Sequence, residues 1–359
     1  MRELKPQSDN IKRVVVRVPN WVGDAVMSVP ALRELRRVLP DARITLVARP
    51  GTADIFMDAD FIDDVLIYER LGIASVWNQI SEWRQRRFDL ALLFQNAFEA
   101  ALIASLARVP IRLGYDTDRR SFLLTNPLPQ PAWKNERHES FYYLNVVAEV
   151  ERLLNGASSL ESTEPRFDLK VSEGRKRQAR ELLHQHGLRI GAPLVLLCPG
   201  SINSRAKRWP AERYAAVGDR LIESGANVVL IGSPGELDVS QDACKHAQRQ
   251  PIVLTGKTTV AEAAAIISMA DILITNDTGP AHIGAALGTP TLVIFGPTNP
   301  LTTYPMSPNA EIVRRPPDCA PCMLRDCPID HRCMTAITPD EVFERATALM
   351  ARQNAEIPA

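Results

Sequence analysis

Short apolar runs recur along the chain and alternate with longer stretches of helical periodicity. In the first half VVVRV (14–18), RITLVA (43–48), DVLIY (64–68) and DLALLF (89–94) read as strands, with a weaker RLGY at 112–115. In the second half LVLLC (194–198), NVVLIG (227–232), PIVLTG (251–256), DILITN (271–276) and TLVIFG (291–296) do the same. Between them Leu32, Leu35 and Leu39 fall at helical spacing within 30–39, and PAERYAAVGDRLIESG, TVAEAAAIISMA and GPAHIGAALG fit helices. Strands that are apolar on both faces and alternate with helices predict an α/β chain of parallel sheets covered on each side. The polar, turn-rich stretch from about 155 to 176 predicts a linker. The expected division is 1–165, 166–335, and a C-terminal helix in 336–359 that packs back toward the N-terminal domain.

Composition narrows the class without changing this picture. The chain has 359 residues, 45% hydrophobic and 23% charged, which is ample for two globular domains. A formal net charge of zero argues against a global nucleic-acid footprint and leaves room for a local basic patch. No apolar run approaches the roughly 18 residues of a membrane span, and MRELKPQSDNIKR lacks the apolar core of a signal peptide. The expectation is therefore a cytoplasmic protein.

Candidate chemistry gathers where the strands end. The five strands of the second half run into PGSINSRAKRWP, GSPGE, TGKTT, NDTGPAH and GPTNP, and the carboxyl ends of parallel strands form the ligand crevice. Asp277, Thr278 and Gly279 precede a helix with Pro280 in its first turn, where a missing N–H costs nothing. The open amides and the Thr278 hydroxyl would suit a diphosphate, with His282 one turn in; the plainer reading is that Asp277 or Thr278 caps the helix. Lys207, between Arg205 and Arg208 and before Trp209, offers an ammonium for charge that grows on a leaving diphosphate, or else a solvated lysine. Glu236 after GSPG could accept both ribose hydroxyls. In the first half, PNWVGDAVMSVPALREL has the strand, glycine and helix start of a phosphate cradle, yet Asp24 would repel a phosphate. Asp24 is then either an N-cap or a carboxylate kept ionised by the helix amides.

Taken together, PGS…AKRWP, GSPGE, NDTGPAH, FGPTNP and the N-terminal WVGDAVMSVPAL closely resemble the ADP-heptose:lipopolysaccharide heptosyltransferases of glycosyltransferase family nine. The NWVGD and AKRWP versions are most like the heptosyltransferase II branch. The resemblance implies a GT-B fold, two Rossmann-like domains with parallel sheets facing across a cleft. It further implies ADP-L-glycero-D-manno-heptose on the C-terminal domain, a lipid A-core acceptor on the N-terminal domain, and inversion without a required cofactor. Position by position it makes Asp24 the general base and Lys207 the group on the leaving diphosphate. Ser201 is implied as a phosphate contact, Glu236 as the ribose acid, and Asp277, Thr278, Gly279 and His282 as the nucleotide-sugar loop. Thr258 falls near the adenine pocket, where the family often carries another residue, and Ile202 replaces a second hydroxyl. An inverting transfer needs one base, and a leaving diphosphate needs charge stabilisation more than a proton. Another core heptosyltransferase (I or III), another sugar nucleotide on this scaffold, and a non-catalytic nucleotide-sugar-binding or metal-sensing module are the alternatives.

A phosphorylated acceptor calls for basic groups, and Arg112, Arg119, Arg120, Lys134, Arg137 and His138 supply them, unless they are solvated surface charges. Leu123, Leu124 and Trp133 lie between them and would touch the inner-membrane surface in a peripheral contact. Four of six cysteines, Cys319, Cys322, Cys327 and Cys333, crowd into C-x2-C-x4-C-x5-C with His331 inside. The count and softness suit a structural zinc or an iron–sulfur cluster; the alternative is reduced thiols packing a loop.

Overall fold

The computed structural model describes residues 11–160 and 163–356, the last four as backbone. The polar start of the chain through residue 10, residues 161–162 of the linker stretch and 357–359 lie outside the described residues. The chain divides into two compact units, one up to Arg166 and one from Phe167.

In the first unit, β1 (Arg13–Arg17), β2 (Arg43–Ala48), β3 (Asp64–Ile67), β4 (Leu90–Leu93), β5 (Ile111–Tyr115) and β6 (Asn126–Leu128) form a six-stranded sheet in the order β3-β2-β1-β4-β5-β6. Every pairing is parallel. Val14, Val15 and Val16 of β1 have no exposure at all, which is why the strand reads as an unbroken apolar run. One face packs Val15, Val47 and Leu93 against Ile80, Trp83 and Ile103. Helices Val29–Val38 and Glu139–Asn155 pack on one another and are tied by Arg37 to Glu151 at 3.1 Å.

In the second unit, β7 (Leu194–Cys198), β8 (Asn227–Leu230), β9 (Ile252–Val253), β10 (Ile272–Asn276), β11 (Thr291–Phe295) and β12 (Ala310–Arg314) run in the order β12-β11-β10-β7-β8-β9, again all parallel. Counted within the unit, this is the order of the first sheet. The strand order of each sheet reverses once, between β1 and β4 and between β7 and β10, and those reversals are where open α/β sheets bind ligands. The final helix, Pro339–Glu356, seats Val342, Ala346 and Leu349 in the core of this unit beside Trp209, Tyr214 and Ile274.

Two strands were not visible in the sequence, and both are sheet edges. β6 is three residues long and carries Pro127, tolerable where only β5 needs pairing. β12 buries only Val313.

Helix Gly279–Ala286 lies directly against β10 and β11. A Cβ on Gly284 would meet Thr291 Oγ1 at 2.5 Å and Leu273 Cδ2 at 3.0 Å, so the close approach depends on glycine. Gly284→Ala is expected to lower stability by about 1–3 kcal/mol through overpacking, read as the urea unfolding midpoint; an unchanged midpoint would contradict this packing.

Candidate active site

At the reversal of the second sheet the loop after β7 meets the loop after β10. Lys207 Nζ donates to Asp277 Oδ2 at 2.9 Å and to the Asp277 carbonyl at 3.1 Å. Thr298, after β11, donates its hydroxyl to the same Asp277 oxygen at 2.6 Å. The Asp277 side chain is 3% exposed and that of Lys207 25%, so the carboxylate is enclosed while the ammonium still reaches the surface. An ammonium has three N–H donors, and two are engaged by Asp277.

The loop that carries Lys207 is stapled from beneath. Asn276, the fully buried last residue of β10, accepts from the Trp209 backbone N–H and the Tyr214 hydroxyl, both at 3.1 Å. Its amide group donates to the carbonyls of Pro199 at 2.8 Å and Gly200 at 3.2 Å. One side chain thus fixes both ends of the loop. Trp209 is buried and donates to the Ile337 carbonyl at 3.1 Å, and Arg208 Nε donates to the Ser201 carbonyl at 3.1 Å.

Helix Gly279–Ala286 starts at Thr278, whose hydroxyl makes no capping bond and instead donates to the Asn276 carbonyl at 3.3 Å. Asp277 turns to Lys207 and Thr298. The plain capping reading therefore fails for both, and the helix start is open to an anion. His282 is buried, and burial pushes its pKa down to about 4, with Lys207 adding and Asp277 opposing. It is neutral near physiological pH. Glu236, also buried, accepts from the Ser233 N–H at 2.8 Å and hydroxyl at 2.7 Å through Oε2. A Cβ at Gly200 would lie 2.3 Å from Glu236 Oε1, so glycine lets this carboxylate lie over the β7 loop beside the buried Ser201. Thr258 is half-buried after β9, next to Thr259, which caps helix Val260–Ile267.

In the first unit Asp24 follows β1 at the matching reversal. It is the third residue of helix Val22–Met27, half-buried, and the N-cap is Trp21; the N-cap reading for Asp24 is thereby corrected. This helix packs against helix Glu139–Asn155, where the phenol of buried Tyr143 is held well above its ordinary pKa by burial, then by the charges of Asp24 and Glu139. Glu139 pairs with Lys134, whose ammonium sits 3.9 Å from the Tyr142 ring centre. Neither Tyr143 nor Glu139 was singled out from sequence. Thr298 and Asn276 lay inside quoted motifs but carried no signal of their own.

The expected acceptor arginines separate. Arg120 has no exposure, and its guanidinium donates to the carbonyls of Tyr115 (2.9 Å), Gln95 and Ala97 (3.4 Å) and to Asn96 Oδ1 (3.0 Å). Burial lowers its pKa to about 10, leaving it charged. Arg112 donates to the carbonyls of Leu123 at 2.7 Å and Val109 at 2.6 Å. Both pin backbone, and Arg120, with no exposure, is structural rather than an acceptor group. Arg137 stacks over Phe141 at 3.8 Å and Trp133 at 5.2 Å, while Arg119 is exposed. Leu123 and Leu124 are buried in the core around Trp83, so they do not face a membrane; their neighbour Phe122, 76% exposed, does reach solvent. Among the described residues no helix is long and apolar enough to cross a membrane.

The four clustered cysteines line one cavity of about 80 Å³ with His331. As the side chains stand, no three His, Cys, Asp or Glu among the described residues are disposed to hold a metal ion.

Residues 76–332 match the model of glycosyltransferase family 9 (heptosyltransferase). The chain is 29% identical to lipopolysaccharide heptosyltransferase 2 of Escherichia coli K12, covering 96% of this chain and 100% of that protein. It is 26% identical to lipooligosaccharide heptosyltransferase 2 of Campylobacter jejuni (serotype O:2), covering 94% and 98%. The solved structure of E. coli ADP-heptose LPS heptosyltransferase II superposes with a TM-score of 0.82 at 26% identity, covering 95% of this chain and 99% of that one.

The buried imidazole sets a pH dependence. As pH falls from 6.5 to about 4, the unfolded chain takes up a proton that folded His282 refuses, so stability is present above that window and declines through it, by up to about 3 kcal/mol. His282→Gln is expected to flatten denaturant stability between those pH values. An unchanged slope would contradict a neutral, buried His282.

Proposed function

Because the chain belongs to glycosyltransferase family 9, the heptosyltransferases, we propose that it moves a heptose from ADP-L-glycero-D-manno-heptose to the inner core of lipopolysaccharide, adding the second heptose with inversion. The observation that carries this reading is the Lys207–Asp277–Thr298 contact beside an open helix start.

In this reading the sugar's anomeric carbon loses its bond to the β-phosphate oxygen, and the electron pair leaves on ADP. The remaining N–H of Lys207 and the amides that open helix Gly279–Ala286 meet the charge that grows there. Ser201 contacts the phosphates, Glu236 holds the ribose through its second carboxylate oxygen, and Thr258 borders the base. Asp24 takes the proton of the attacking acceptor hydroxyl, and the new glycosidic bond forms on the opposite face of the sugar. Donor and acceptor alone balance this reaction, which transfers no electrons between redox partners. Asp277 is engaged by Lys207 and Thr298, and the general base is carried by a different unit from these phosphate-binding groups. Arg119 and Arg137 remain the first-unit groups suited to a phosphorylated acceptor. A lipid-linked acceptor would call for a peripheral contact with the cytoplasmic face of the inner membrane.

Asp24→Asn is expected to keep ADP affinity in calorimetric titration and to slow transfer by about 10²–10⁴-fold; transfer near the parent rate would remove the base assignment. Lys207→Ala is expected to weaken ADP binding by about tenfold or more, the loss of a charge-assisted hydrogen bond, and unchanged binding would refute its phosphate role.

A further inference from the structure

Trp21 is 51% exposed, whereas Trp83 and Trp209 are sealed in the cores of their units at 1%. A single exposed apolar side chain is ordinary, so the position of this one decides its meaning. Trp21 is the N-cap of helix Val22–Met27, close after β1 at the reversal of the first sheet, and Asp24 is the third residue of that helix. N-cap and third-position side chains lie side by side on a first helical turn, the arrangement that capping boxes exploit. The exposed indole and the half-buried carboxylate therefore share one edge.

The backbone under the indole is fixed. Thr52 donates its hydroxyl to the Asn20 carbonyl at 3.0 Å, and Arg17 Nη2 donates to Asn20 Oδ1 at 3.1 Å. The Trp21 carbonyl accepts from the Ala25 N–H at 2.9 Å. Arg17 is itself buried, donating through Nη1 to the Val47 carbonyl at 3.1 Å, with its guanidinium 5.2 Å from the centre of the Tyr68 ring. A buried guanidinium carries a desolvation cost, and what it secures here is the residue before Trp21.

An aromatic ring on a fixed backbone, open to solvent, offers contact area with few torsions to freeze. The C–H faces of a pyranose ring are apolar and match it, while the ring hydroxyls stay free for a carboxylate. Aromatic surface with a few placed polar groups is how small-molecule sites fix orientation. Arg49, exposed after β2, is the N-cap of helix Pro50–Ala53, which packs on helix Val22–Met27. It brings a cation to this edge, so a saccharide that bears negative charge is not turned away by Asp24.

We infer that Trp21 is the platform on which the acceptor sugar stacks, holding the ring that carries the attacking hydroxyl beside Asp24. This rests on the acceptor and base roles proposed above and adds the group that orients the acceptor. Trp21 serves the acceptor alone, and the donor does not depend on it.

The test compares the full chain with Trp21→Ala and Trp21→Phe, using ADP-heptose and the truncated core acceptor that the parent protein glycosylates fastest. Trp21→Ala is expected to raise the acceptor KM about tenfold through lost aromatic contact. The KM for ADP-heptose, calorimetric ADP affinity and circular dichroism should stay at parent values. Loss carried by KM and not by kcat marks binding lost equally in the ground and transition states. Trp21→Phe should recover most of the loss, because a phenyl ring keeps a stacking face. Titrating the acceptor without donor should shift the parent's tryptophan emission, and Trp21→Phe should lose that shift while still binding. An unchanged acceptor KM in Trp21→Ala overturns the platform. An equal loss of ADP affinity, or the full emission shift persisting in Trp21→Phe, overturns it as well. If the parent transfers heptose to no acceptor, the activity reading fails and the platform fails with it; transfer by the parent at an unchanged Trp21→Ala KM removes the platform alone.

Discussion

The contact between the Lys207 ammonium and the buried Asp277 carboxylate joins loops 70 residues apart in sequence, and much of the second unit is arranged to make it. Parallel pairing of β7 with β10 brings the two loops to one edge. Asn276 fixes the ends of the first loop, and Thr298 adds a hydroxyl to the carboxylate. A buried ion pair is a poor source of net stability, because desolvation offsets much of the attraction. What it secures here is position: a long, flexible lysine side chain is held with a donor still available at an open helix start.

The two units share one strand order and bring different side chains to its reversal. In the second, the reversal between β7 and β10 gathers amides and an ammonium, which suit an anion. In the first, the reversal between β1 and β4 carries Asp24, close enough to Tyr143 for its charge to act on the phenol. Asp277 already brings a carboxylate to the second unit's reversal, where Lys207 and Thr298 engage it; carrying Asp24 on the first unit adds no further carboxylate to that loop.

The architecture was legible because parallel strands covered on both faces must be apolar throughout, as Val14–Val16 and Leu194–Cys198 are. The two strands that escaped notice were edges, where half-burial and Pro127 erase that signal. Lys207, Asp277 and Glu236 were legible as polar groups at strand ends, and the structure brings the first two into contact. Thr298 and Asn276 were not, since their meaning depends on partners brought near by sheet pairing. Arg120 shows the converse. From sequence it is one basic residue among several, and only its complete burial beneath three carbonyls and Asn96 identifies it as structural.

Transfer to an inner-core acceptor is the proposed activity. Incubating the full chain with ADP-heptose and a panel of truncated core acceptors, then weighing the products by mass spectrometry, tests that most directly. A mass gain of one heptose is expected on an acceptor that already bears the first, with stoichiometric release of ADP. No mass gain on any acceptor in the panel would contradict it.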